Sequence, residues 1–155
     1  MFGRNKNKSK KSIEVKPLND ISYPVKIILA WTKSLEGNVE ITKWLLDNGY
    51  KELVMANQAI HLKNEARDWL MNNGYAHLMA MINAAEGKVQ AQNWLKANGF
   101  DQLYHMALSI DGERESWEWL GNNVPVDIFL LTKAIEKIKD GIEENHNDVH
   151  SFGKD

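Results

Sequence analysis

Cysteine is missing from this 155-residue sequence. Its absence excludes a disulfide framework, a thiolate nucleophile and Cys-ligated zinc or iron–sulfur sites. Long apolar runs are missing too. Stretches such as Ile27 to Ala30 fall far short of the roughly 20 residues that span a bilayer. No apolar segment follows the basic N-terminus, so no cleaved secretion signal is expected and a cytoplasmic protein is. The glycines stand singly, which excludes a glycine-rich phosphate loop, and H-E-x-x-H does not occur. Nothing alternates with period two over a useful length, so no strands are expected.

Charge is uneven. Residues 1–16 carry Arg4, Lys6, Lys8, Lys10, Lys11 and Lys16 against Glu14, a balance of +5. The remainder is therefore −7 in a chain whose net charge is −2. A tail of Lys, Asn and Ser with few apolar residues cannot bury enough surface to offset its ordering entropy. Residues 1–12 are expected to be disordered, residues 13–145 to form one α-helical repeat domain, and residues 146–155 a second disordered tail.

The strongest pattern is internal repetition. Trp44, Trp69, Trp94 and Trp119 recur every 25 residues, each followed by leucine. Three copies continue to Asn48-Gly49-Tyr50, Asn73-Gly74-Tyr75 and Asn98-Gly99-Phe100. Each copy reads as two short helices. The first carries an i, i+3, i+4 stripe such as Leu53, Val54, Ala56, Ala59 and Ile60; the second is built around residues such as Ala66, Trp69 and Leu70. Gly49, Gly74 and Gly99 suit the left-handed closure of a helix, and the aromatic after each should pack on Leu45, Leu70 or Leu95. Gly37, Gly87 and Gly112 share the turn slot between the two helices, and Asn38 and Asn64 are candidate N-caps. Four full copies and a fifth half-copy follow from Pro24 onward. A hairpin this small cannot bury its own stripe, so copies must stack. The expected fold is all-α, a short α-helical solenoid of about five helix-turn-helix copies. Its last helix, of about 16 residues, should close the stack on copy four, and Ile13 to Tyr23 should cover copy one.

The segment from Gly37 to Gly49, Gly-Asn-Val-Glu-Ile-Thr-Lys-Trp-Leu-Leu-Asp-Asn-Gly, resembles the second-helix segment of an ankyrin repeat, G-H-x-E-[VI]-V-x-L-L-L-x-x-G. The Gly-to-Gly spacing recurs from Gly87 to Gly99. The period is 25 residues against about 33 in that family, and the β-turn finger and T-P-L-H motif have no counterpart. The resemblance implies protein binding through a helical face.

No residue pattern points to catalysis, a cofactor or a metal. His146 and His150 have a two-His metal spacing but lie in a polar tail. Asp111, Glu113, Glu115 and Glu118 read as a solvated helix face, not an acid–base pair. The Trp of the repeat slot reads as core, and Trp31 shares an apolar slot with Ala56, Met81 and Met106. Trp117 stands where other copies have Thr42, Arg67 and Gln92 and so reads as an exposed anchor. Slots that change character between copies supply the other candidate partner-binding residues: Met55, Gln58, Asn83, His105 and Leu108. The expected function is a non-catalytic protein–protein interaction module. The alternative is a nucleic-acid-associated protein using the basic N-terminal tail; an enzyme comes third.

Overall fold

The structure, a computed structural model, describes residues 21–154, with side chains described for 21–145. The basic tail 1–12 and most of the segment expected to cover copy one lie outside the described residues. Among the described residues the fold is all-α, with nine helices. The first helices of the copies are α1 (Val25–Leu35), α3 (Lys51–Ile60), α5 (Ala76–Ala85), α7 (Asp101–Ile110) and α9 (Val126–Lys154). The second helices are α2 (Val39–Asp47), α4 (Asn64–Asn72), α6 (Val89–Ala97) and α8 (Arg114–Asn123).

Each second helix ends through the same local device. The Asn side chain donates to the Trp carbonyl four residues back, at 2.8 Å from Asn48, Asn73, Asn98 and Asn123 alike. In three copies a glycine with φ between +79° and +91° turns the chain over. The next N–H then donates to the Leu carbonyl at 2.9 Å, from Tyr50 to Leu45, Tyr75 to Leu70 and Phe100 to Leu95. The leucines are fully buried. The aromatic ring, expected on the leucine, stacks on the tryptophan: Tyr50 on Trp44, Tyr75 on Trp69 and Phe100 on Trp94, with centroids 5.5–6.3 Å apart. None of the four repeat tryptophans is fully buried, and Trp69 and Trp119 are partly buried against the core. Trp44 is 38% and Trp94 41% exposed, because the neighbouring leucine fills the interior and the indole lies over the closure.

At the turn between first and second helices Gly37, Gly87 and Gly112 take φ near +100°. Copy two has Leu62 in that slot, at φ +69°. A left-handed leucine costs about 1–2 kcal/mol, and its side chain is half exposed. Leu62→Gly should accordingly raise stability by about 0.5–1 kcal/mol after the entropy of glycine is deducted, read as a higher urea midpoint. A lower midpoint would show that the Leu62 side chain contributes more than its backbone costs. Of the two expected N-caps, Asn38 accepts from Ile41 N–H at 2.9 Å. Lys63 holds the other position and Asn64 is already helical.

Each first helix packs on the next, and each second helix lies across its own first helix and the following one. The copies do not, however, touch neighbours alone. α9 packs along α1 as well as along α7, so the five first helices form a closed ring. α9 thus lies along copy one, and the described end of the segment expected to cover that copy packs there too, with Ile21 buried, Tyr23 edge-on to Trp31, and Tyr23 donating to Glu52 Oε2 at 2.6 Å. Burial, then the Glu52 hydrogen bond, pushes the Tyr23 hydroxyl pKa upward. The last helix is also longer than expected, running past Asn145 to Lys154.

Candidate functional site

The polar residues that could do chemistry are tied into structure. His105 Nδ1 and Ser116 Oγ share a hydrogen bond of 3.0 Å, and Ser116 donates to Glu113 Oε2 at 3.3 Å. Ser116 is buried, so this Ser–His–Glu chain offers no accessible nucleophile. The carboxylate also lies on the serine, not on the imidazole. Burial lowers the pKa of His105, as it does that of His77, whose ring stacks on Phe100 at 5.7 Å. In the acidic run, Asp111 faces Lys139 at 3.6 Å and accepts from Gln92 at 3.2 Å. Among the described residues no group of three His, Asp or Glu could hold a metal ion. The side chains of His146 and His150 fall outside them. An apolar cavity of about 170 Å³, walled by Ile82, Ile110, Ile135 and Ile142, has Lys139 and Glu143 at its rim, 3.6 Å apart.

The six residues singled out for partner binding do not share one open surface. Gln58 is exposed; Met55, Asn83, His105 and Trp117 are half-buried; Leu108 is buried. His105 stacks under Trp119 with centroids 4.1 Å apart. Trp117 is not free: Lys133 sits 4.0 Å over its ring and Phe129 meets it edge-on at 5.3 Å. Asn83 Oδ1 accepts from Lys88 at 3.3 Å and from Arg67 at 3.5 Å.

These contacts share a logic. The slots that vary are the ones where a second helix meets a first helix. Arg67 of α4 binds Glu86 at 2.6 Å, nineteen residues on, and donates back to the Ala59 carbonyl at 2.9 Å. Gln92 of α6 repeats both contacts, to Asp111 at 3.2 Å and to the Ala84 carbonyl at 3.0 Å. Trp117 of α8 meets Phe129 and Lys133 of α9. Four of the five junctions between first helices are crossed in this way. Across the fifth, between α9 and α1, no second helix lies among the described residues.

That junction is an open groove of about 390 Å³. Leu29, Thr32, Lys33 and Glu36 form its α1 wall; Leu130, Lys133, Ala134 and Lys137 form its α9 wall. Leu29 is 43% exposed although Val54 and Met79, in the same slot, are buried, because no copy precedes α1. Leu130 is 48% exposed because α9 continues where other copies turn into a second helix. Lys33 and Lys133 lie 3.7 Å from the carboxylates of Glu36 and Glu136, and Lys137 forms no ion pair among the described residues. Sequence reasoning missed this groove. The signal was a leucine in each terminal copy at a slot whose usual cover the array does not supply.

The chain matches no family model, no curated protein and no solved structure. The likeness to ankyrin repeats therefore rests on the Gly37 to Gly49 and Gly87 to Gly99 segments. No helix is long and apolar enough to cross a membrane among the described residues.

Proposed function

We propose that this chain is a non-catalytic protein–protein interaction module. In this reading it is an array of ankyrin-like helical hairpins, bent round until its ends meet, that receives a partner at the seam. The observation that carries it is the α1–α9 junction, which no second helix crosses among the described residues and where two leucines stay over 40% exposed between lysines. Apolar side chains gathered in a cationic groove are what a partner's anchor residues desolvate. The ring supplies a rigid frame, so little ordering cost falls on this side of the complex.

The test is affinity purification from the native extract with wild type and with Leu29→Asp/Leu130→Asp. Both side chains are over 40% exposed and lie outside the buried core, so the pair should leave the chain folded while recovery of the specific partner falls about tenfold or more. Undiminished recovery by the folded double variant would remove the seam from the binding surface. A partner that proves to be nucleic acid, released by nuclease and lost on deleting residues 1–12, would replace this reading with the basic-tail alternative.

A further inference from the structure

We propose that the occupant of the seam is an acidic amphipathic α-helix of a partner protein, lying where a fifth second helix would lie. This rests on the interaction-module reading and goes further, because the filled junctions specify the chemistry of the missing piece. On α1, Leu29 and Lys33 hold the slots of Phe129 and Lys133, the two residues that meet Trp117 of α8. Glu36 holds the slot of Glu86 and Asp111, which take Arg67 and Gln92 from the preceding second helix. On α9, Leu130 holds the slot of His105, which lies against Ser116 and Trp119 of its own second helix. Both walls therefore carry the residues that a crossing helix engages elsewhere, with nothing crossing among the described residues.

The second helices define what fits. In α4 and α8 a buried small residue, Ala66 or Ser116, precedes a fully buried leucine by four positions, Leu70 or Leu120. The residue after the small one, Arg67 in α4, reaches the acid at the C-cap of the next first helix. A helix crossing the seam thus needs a small residue, then Arg or Gln to meet Glu36, then Leu four positions after the small residue. Its remaining charges should be acidic. Lys33 and Lys133 are paired with Glu36 and Glu136, which leaves Lys137 on the groove as the cation with no ion pair among the described residues. An extended peptide would leave its backbone groups unpaired between two helices, whereas a helix satisfies its own.

The chain's own α4 has this pattern, with Glu65 and Asp68 beside Ala66, Arg67 and Leu70. A hydrocarbon-stapled peptide of residues 64–72 is therefore the probe, the staple offsetting the instability of so short a helix. It is titrated into the ¹⁵N-labelled full chain. Saturable amide shifts centred on Leu29, Lys33, Leu130 and Ala134 are expected. Affinity should fall about tenfold with Leu130→Asp, and likewise with Leu70→Ala in the peptide. Lys137→Glu should weaken it severalfold, with the difference shrinking as salt rises. No saturable shift at the seam, or affinity indifferent to Lys137→Glu, would overturn the proposal. So would a concentration-dependent dimer in sedimentation that Leu130→Asp dissolves, since the occupant would then be a second copy. Partner recovery that depends on Leu29 and Leu130 without peptide binding would leave the interaction module standing and remove only the acidic helix.

Discussion

Trp31→Ala should lower the stability of the chain by about 3–5 kcal/mol, a large share of what a domain of this size has. Trp31 is fully buried and meets the Tyr23 ring edge-on at 6.4 Å. Its indole Nε1–H donates to Asn57 Oδ1 at 2.7 Å, and Asn57 Nδ2 donates to Ser34 Oγ at 3.1 Å. Ser34 Oγ and Thr42 Oγ1 are 2.6 Å apart, which carries the network on to α2. Truncation therefore opens a cavity and leaves a buried amide oxygen without a donor, and the two penalties add. Trp31→Phe separates them. It keeps most of the volume and should cost about 1–3 kcal/mol, chiefly the unpaired Asn57 oxygen. Urea unfolding of both variants reads the split. A loss under about 1.5 kcal/mol for Trp31→Ala would mean that copy one collapses freely around the gap and is not the rigid start of the ring.

How much of this the sequence carried depends on the range of each interaction. The Trp-Leu-x-x-Asn-Gly-aromatic closure is complete within seven residues, so its period announced every second helix, and α4 ends just before the Asn73-Gly74 closure that the pattern marked. The exposure of the tryptophans was not legible, because the pattern marks Trp and Leu alike as apolar. Only the helical phase at the closure decides that Leu45 turns in and Trp44 lies flat on Tyr50. The packing of the varying slots was not legible for a related reason. Variation between copies was read as freedom from contact. At Arg67 with Glu86, Gln92 with Asp111, and Trp117 with Lys133, the varying residue changes together with a partner one copy away. Closure of the ring had no local sign at all. It follows from the angle between copies accumulated over five first helices, and no single residue encodes it.

Leu131→Ala is the second large effect expected, about 2–5 kcal/mol, and it tests that closure. Leu131 is fully buried in the slot of Trp31, Ala56, Met81 and Met106, the position each first helix turns inward. It lies on α9, which packs along both α7 and α1. Phe129, two residues earlier, is only half-buried and rests edge-on against Trp117 on the outside of the ring. Phe129→Ala should cost less, about 1–2 kcal/mol, despite removing more atoms, because the gap opens to water and no cavity is sealed. The order of the two losses is the discriminating result. If Phe129→Ala proved the costlier change and Leu131→Ala cost under about 1 kcal/mol, α9 would be held on α8 alone, the ring would be open at α1, and the groove between them would have no fixed walls.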